Sequence, residues 1–367
     1  MSEVSAEQRL DVWVGAAGTG NPYMELLEQH IEEQGAELYT TYQAHKILID
    51  LAFRDAPDIF HIHWLGMYFL SGRAPDWKLR GRLRMKLTLA AFERLKERGA
   101  KLVWTAHNLH NHEKRLFDID REIHHRVARM VDGVIVHSPS AERKVRQTYE
   151  FAPSTELRVI PHGHYIDVYP PSSTTPDQVR ARYGIAEDDF VVLFFGRLRD
   201  YKNVTGLIEA FAEADLGESA HVIIAGASRT RRLARELQSA AEGRPRVHLD
   251  DRFIDDEEVI SLFEASDAVA LPYEAILTSG SAVLAMSMGR AVIAPRLGGL
   301  VDLLEHQSEL LYDPDDSAGL VGALERARAA RGELAEIGRA NKKEARRWDW
   351  PTIGRRTVEL YRDVLAT

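Results

Sequence analysis

The chain has 367 residues, 45% hydrophobic, 28% charged and 8% aromatic; one hydrophobic core seldom serves more than about 250–300 residues, so two ordinary globular domains are expected. It contains no cysteine, which excludes disulfides, cysteine-ligated zinc and thiol catalysis and fits a reducing cytoplasm. The net charge of −9 argues against a general nucleic-acid binder, no run approaches the roughly 18–20 apolar residues that span a bilayer, and the acidic N-terminus lacks a signal-peptide pattern.

Short apolar runs alternate with helical stretches, the pattern of a parallel α/β fold. Strands are predicted at Leu10–Gly15, Ala36–Thr40, Ile59–His63, Leu102–Thr105, Gly133–Ser138 and Leu157–Ile160, with helices at Tyr23–Gln34 and Met85–Arg98 among them. A proline-rich stretch, Tyr169–Pro176, then favours extended chain and marks a linker. A second series follows, with strands at Phe190–Phe195, Val222–Ala225, Val247–Leu249, Ala268–Leu271 and Ala291–Ala294. Its helices are Val204–Ala214, Thr230–Ala241, Asp256–Ala265, Ser281–Met288 and Ala318–Ala329, and a last helix begins near Pro351. Two Rossmann-like domains are therefore expected, residues 1–168 and 169–350, with ligands at the carboxyl ends of the strands and a cleft between the domains.

The strand Phe190–Phe195 runs into Gly196-Arg197-Leu198-Arg199-Asp200-Tyr201-Lys202. Glycine admits a close ligand, and Arg197 with Lys202 offers two cations suited to phosphate. A solvated basic loop would read the same way. Further on, Thr278-Ser279-Gly280-Ser281 opens an apolar helix just after Glu274, and Thr278 or Ser281 is the expected cap. A helix N-terminus suits an anion, although ordinary caps are commoner than phosphate sites.

In the first half, Gly15-Ala-Ala-Gly18-Thr19-Gly20-Asn21-Pro-Tyr23 lacks the spacing of the dinucleotide fingerprint, and no GxxxxGK[ST] loop occurs anywhere. Asn21 and Tyr23 are candidate sugar or acceptor contacts. His61-Ile-His63-Trp64 and Trp104-Thr-Ala-His107-Asn108 both end strands, where histidine can bond a sugar hydroxyl or move a proton. Neither these nor His124-His125 match a compact zinc pattern, despite 15 histidines in the chain, so no metal is expected.

Several segments together resemble the GT-B glycosyltransferases of the family 4 type over nearly the whole chain. They are Val134-Ile-Val-His-Ser138, Val159-Ile-Pro-His-Gly163, Phe195-Gly-Arg-Leu198 with Lys202, Ser266–Tyr273, Ala285–Ala294, Gly298-Gly299 and Leu311–Asp315. The resemblance implies two facing Rossmann-like domains, a nucleoside-diphosphate sugar as donor, no cofactor and no required metal. It implies that Arg197 and Lys202 hold the diphosphate beside Gly196, that Glu274 lies against the donor sugar, and that Thr278, Ser279, Gly280 and Ser281 meet phosphate or ribose. His107 would stand near the anomeric carbon, and Arg252-Phe253-Ile254 beside the nucleobase. Gly18, Thr19, Gly20, Asn21, Tyr23, His63, Trp64 and Asn108 would face the acceptor or sugar, and the last helix, 351–367, would pack back on the first domain. The family's second glutamate is replaced by Leu284, ten residues after Glu274, which breaks the usual E-x7-E spacing. Retention of anomeric configuration is the expectation carried over.

The segment Trp77-Lys-Leu-Arg-Gly-Arg-Leu-Arg-Met-Lys-Leu87 is basic inside an acidic protein, with Leu79, Leu83 and Leu87 at four-residue spacing. It reads as an amphipathic helix for anionic lipid headgroups, on the inner face of the cell membrane, or as a helix whose leucines face the core. The leading expectation is a hexosyltransferase acting on a glycolipid or polysaccharide acceptor, with GDP-mannose as donor and a UDP-hexose next. A GT-B-shaped sugar-nucleotide epimerase and a non-catalytic nucleotide-sugar-binding subunit are the alternatives, the latter supported by Leu284.

Overall fold

The computed structural model describes residues 9–15, 21–41, 44–69, 77–110 and 116–367. The chain divides into two compact units, Met1–Pro161 with Trp350–Thr367, and His162–Asp349.

The first unit is built on a six-stranded parallel sheet. Its strands are β1 (Leu10–Gly15), β2 (Ala36–Thr41), β3 (Ile59–Ile62), β4 (Lys101–Thr105), β5 (Gly133–Val136) and β6 (Glu156–Val159), in the order β2-β1-β3-β4-β5-β6. All four residues of β3 and of β5 are buried, as expected of central strands covered on both faces. The order reverses between β1 and β3, so the chain leaving Gly15 and the chain leaving Ile62 part there; His63 N donates to Gly15 O at 3.2 Å.

β5 stops at Val136, two residues before the predicted end, because Ser138 already caps the helix Pro139–Thr148 by accepting from Ala141 N at 3.1 Å. The helix predicted from Met85 begins earlier, at Trp77. The last helix, Trp350–Ala366, belongs to this unit: Trp350, Ile353, Leu360, Tyr361 and Val364 share a core with Val12, Tyr23 and Leu27. It lies against the helix Pro22–Glu32 closely enough that a β-carbon on Gly354 would meet His30 O at 2.5 Å.

The second unit repeats the architecture with β7 (Phe190–Phe195), β8 (Ala220–Ala225), β9 (Val247–Asp250), β10 (Ala268–Ala270), β11 (Ala291–Pro295) and β12 (Leu311–Tyr312), in the parallel order β12-β11-β10-β7-β8-β9. β12 has two residues, too few to show a period in the sequence. The order reverses between β7 and β10, so the loops after Phe195 and Ala270 diverge over one crevice at the strand ends of this sheet. The division between units falls at Pro161–His162 rather than at 168–169. Tyr165 and Ile166 join the second core, Tyr165 N donates to Ser287 Oγ at 2.9 Å, and His164 N donates to Trp348 O at 3.0 Å. The proline-rich stretch is thus internal to the second unit, running into the helix Pro176–Arg182 through a capping box of Thr175 and Gln178.

Candidate functional site

In the second unit the reversal of strand order gathers the phosphate candidates. Gly196 follows β7 with φ +121°, a backbone conformation side chains rarely adopt. A β-carbon there would stand 3.2 Å from Lys202 Nζ and 3.5 Å from Ser281 Oγ, so Gly196, Lys202 and Ser281 converge. Lys202 closes the short turn Asp200–Lys202 and is buried. Its ammonium sits 5.6 Å from the Phe194 ring and 5.8 Å from the Tyr273 ring, a weakly attractive aromatic setting. Burial, with the charges of Arg199 and Arg197, lowers it to about 7. Among the described residues no carboxylate acts on it. A buried ammonium without a counterion is the arrangement an incoming anion completes.

Ser279, rather than Thr278 or Ser281, caps the helix Gly280–Ser287, accepting from Ala282 N at 3.1 Å. Ser281 is thereby left at the first turn, where it and Ser279 reach the hydroxyl of Tyr273. Thr278 Oγ1 is buried with no hydrogen-bond partner among the described residues. Glu274 is exposed, and its backbone N–H donates to Tyr201 O at 3.0 Å, tying the two loops together. Arg197 is exposed.

The segment beside the expected nucleobase is divided in character. Arg252 is committed to its own unit, bonding Asp250 at 2.9 Å and Glu258 at 2.6 and 2.8 Å. Those bonds raise the guanidinium further and hold Glu258 down at about 2. Ile254 is in the core, while Phe253 is 68% exposed. Leu284, at the position of the family's second glutamate, is buried in the apolar core.

His162 lies in the segment Val159-Ile-Pro-His-Gly163, whose sequence pattern gives it no role of its own. Its Nε2 would lie 3.4 Å from a β-carbon on Gly280, with Nδ1 2.8 Å from Gly163 O, and Tyr165 Oη stands 3.6 Å from the same point. The glycine at 280 is what lets these side chains approach the helix start.

In the first unit the ends of β3, β4 and β5 assemble an imidazole cluster. His61, fully buried, bonds Tyr361 Oη at 2.6 Å and Thr105 Oγ1 at 2.7 Å. This histidine is therefore structural, fastening the last helix to the sheet. His63 Nδ1 lies 3.1 Å from His107 Nε2. Trp64 stacks on His107 at 4.5 Å and 14°, and Tyr23 meets the same ring edge-on at 5.2 Å. His137 completes the group, 5.2 Å from His107, with Nδ1 on Ile160 O at 2.9 Å. Burial pushes His61 down to about 3 and His137 to about 4, and holds His63 well below the usual range, so these rings are neutral at pH 7.

Asn21 caps the helix Pro22–Glu32 through Tyr23 N at 3.3 Å, so its side chain already has a structural partner. Asn108 is half-buried beside His107. Gly18, Thr19 and Gly20 lie outside the described residues. Among the described residues one histidine–carboxylate group, His110, Asp120 and His124, approaches the spacing of metal ligands. There His124 Nδ1 is already 2.7 Å from Asp120 O on its own helix, which reads as a buried polar contact.

Two parallel-sheet units with these strand orders make the GT-B fold, and the chain is similar to glycosyltransferases of family 4. Residues 189–329 match the family model described as Glycosyl transferases group 1. A GDP-mannose:glycolipid 4-beta-D-mannosyltransferase of Xanthomonas campestris pv. campestris is 26% identical over 328 residues, covering 84% of this chain and 80% of that protein. A D-inositol 3-phosphate glycosyltransferase of Saccharomonospora viridis is 26% identical over 321 residues, with 84% and 70% covered. Among solved structures, sucrose-phosphate synthase from Thermosynechococcus elongatus superposes with a TM-score of 0.76 at 18% identity, over 98% of this chain and 100% of that one. Anabaena HepE in complex with UDP and glucose gives 0.70 at 18% identity, over 95% and 98%.

Proposed function

We propose that this glycosyltransferase moves a mannosyl group from GDP-mannose to a glycolipid or polysaccharide acceptor at a membrane surface, without a metal. The observation that carries the donor side is the convergence of Gly196, Lys202 and Ser281 around a buried ammonium with no carboxylate counterpart among the described residues. When the glycosidic bond breaks, negative charge grows on the leaving diphosphate. Lys202, Arg197 and the start of the helix Gly280–Ser287 are charges and dipoles fixed in advance for it, the role a divalent cation fills in other transferases. Glu274 and His107 are assigned to the donor sugar, His63, Trp64 and Asn108 to the acceptor side, and Phe253 to the nucleobase. GDP-mannose is favoured by the name of the Xanthomonas relative, and HepE keeps a UDP-sugar next in line.

The acceptor assignment rests on the helix Trp77–Glu97. Leu79, Leu83 and Leu87 are 72%, 58% and 45% exposed, while Gly81, Met85, Leu89 and Phe92 make its buried face. The leucine stripe faces away from the core, and the basic side chains around it suit anionic headgroups. No described helix is long and apolar enough to cross a membrane.

Thermal shift of the purified chain with GDP, UDP, ADP and their sugars, in EDTA, tests the donor site, because selective binding raises stability by mass action. A shift with GDP and GDP-mannose alone is expected. No shift with any nucleotide removes the reading and leaves a non-binding subunit. Leu284 favours a binding-only subunit, and slow hydrolysis of the donor in the absence of acceptor separates that case from an enzyme.

A further inference from the structure

The loop after β8 ties together the loops on either side of it, all within the second unit. It leaves Ala225 through Gly226, at φ +150°, where any β-carbon would collide with Gly196 O. Leu198 N then donates to Ala227 O at 3.0 Å and Arg229 N to Leu198 O at 3.2 Å, so Ser228 is bridged to Leu198, next to Arg197. On its other side Ser228 N donates to Asp251 Oδ1 at 2.6 Å, and Asp251 stands two residues before the exposed ring of Phe253. Ser228 and Asp251 therefore lie between the loop that carries Arg197 and the segment that carries Phe253.

Asp251 is exposed and makes no ion pair among the described residues, whereas its neighbour Arg252 is held by Asp250 and Glu258. Ser228 Oγ has no hydrogen-bond partner among the described residues, so turning it about χ1 toward a ligand breaks no bond. A carboxylate beside a hydroxyl matches a vicinal diol, in which one O–H donates to the carboxylate and the other oxygen accepts from the serine. In a nucleoside diphosphate the ribose, which carries that diol, stands between diphosphate and base. Nearer the diphosphate, Ser279 is committed to its helix cap and Leu284 lies in the apolar core. We propose that Asp251 and Ser228 bind the ribose hydroxyls of the donor nucleotide and make the site select a ribonucleotide over a deoxyribonucleotide.

The inference rests on the reading that Gly196, Lys202 and Ser281 take the diphosphate and Phe253 the base. Calorimetric titration uses whichever of GDP and UDP stabilises the wild-type chain, together with its 2′-deoxy and 3′-deoxy forms. Loss of the hydroxyl that Asp251 holds should weaken wild-type binding at least about tenfold, the worth of a hydrogen bond to a charged group. Asp251→Asn keeps an oxygen for Ser228 N, and Ser228→Ala keeps that N–H, so the loop stays anchored in both. In each variant the ribo form should bind more weakly, and the deoxy penalty should shrink at least about threefold. Side chains that only fasten the loop would weaken ribo and deoxy forms alike, and a penalty unchanged in Asp251→Asn overturns the proposal. So does a wild-type chain that binds both deoxy forms as tightly as the ribo form. A penalty unchanged in Ser228→Ala alone removes the serine and leaves the carboxylate. If Asp251→Asn loses the preference between GDP and UDP with the deoxy penalty intact, the carboxylate reads the base and the ribose assignment falls. A wild-type chain that binds no nucleotide at all removes the donor reading itself, and this inference with it.

Discussion

A β-carbon placed on Gly196 would stand 3.2 Å from the ammonium of Lys202, so the smallest residue of the loop and its buried cation share one space. Gly196→Ala tests whether that space is for a ligand. The backbone at φ +121° also disfavours alanine by about 1–3 kcal/mol, so a lowered Tm is expected. Beyond that, the methyl group occupies the approach to Lys202 and Ser281, and nucleoside-diphosphate affinity should fall at least about tenfold, which is about 1.4 kcal/mol. Unchanged affinity in a destabilised variant would mean that the diphosphate binds elsewhere.

Lys202 is lowered to about 7 by burial first and by Arg199 and Arg197 second. A bound diphosphate favours the charged form and draws the group back up. Binding therefore takes up a proton near neutral pH, and affinity should weaken as pH rises above 7, by up to about tenfold per pH unit. Isothermal titration in buffers of different ionisation enthalpy counts that proton. Lys202→Ala should abolish the uptake, and Lys202→Ala or Arg197→Ala should lower turnover on the order of 10²-fold. Near-normal turnover in both variants would remove these residues from the donor site.

Much of this second-unit site was legible because it is written in consecutive residues. Phe195-Gly-Arg-Leu198 and Thr278-Ser-Gly-Ser281 each sit at a strand end, and the order of β7 and β10 brings those ends together. What was hidden is whatever depends on side-chain competition. Arg252 has the right type and place for a phosphate, yet Asp250 and Glu258 claim it. Ser279 takes the cap that Thr278 or Ser281 was expected to supply, since only its Oγ reaches Ala282 N. In the first unit, His61 on β3 and His63 just after it are two residues apart and have different occupations: one bonds Tyr361, 300 residues away, and the other bonds His107. No period or spacing carries such long-range pairings.

The neutral histidines make the first unit sensitive to acid. His61 is held at about 3, His124 and His137 at about 4, and His63 well below its ordinary value, all by burial. Because the folded values lie below the unfolded one of about 6.5, the unfolded chain binds the extra protons. Stability is full above pH 6.5 and is lost as pH falls toward the folded values. Each such histidine contributes about 1.4 kcal/mol per pH unit in that window. Calorimetry from pH 7 to 5 should show the first unit's transition moving down faster than the second's, where His248 is brought to about 4 and the half-buried His164 and His221 are lowered less deeply by burial. Parallel movement of both transitions would contradict the burial assignment.

Membrane attachment has a simple separation of contributions. Leu79 and Leu83 are 72% and 58% exposed on the helix Trp77–Glu97, so Leu79→Ser with Leu83→Ser should leave Tm within about 1 °C, surface changes being small. The same double variant should lose flotation with vesicles containing anionic lipid, and wild-type flotation should fall with salt. Wild-type protein that fails to float with any vesicle would rule the surface out, and flotation unaffected by the serines would place attachment elsewhere.

Gly354 is where the last helix crosses the helix Pro22–Glu32. A β-carbon there would meet His30 O at 2.5 Å, His30 C at 2.7 Å and His30 Cβ at 2.8 Å. Backbone cannot yield as the tip of a side chain can, so Gly354→Ala must push the two helices apart. Helix propensity alone would favour alanine by about 1 kcal/mol, and the overpacking of a tight contact opposes it by about 1–3 kcal/mol. The sum should be a net loss, felt in the first unit because Trp350, Leu360 and Tyr361 leave their core positions with the helix. Gly332, in the helix Arg331–Ala345, has nothing within 4 Å of the same added atom, so Gly332→Ala should stabilise by up to about 1 kcal/mol. Opposite signs for the two substitutions in urea titrations are the expected result. A stabilising Gly354→Ala would show that the helices have room to part and that the close crossing is not what fastens the last helix to its sheet.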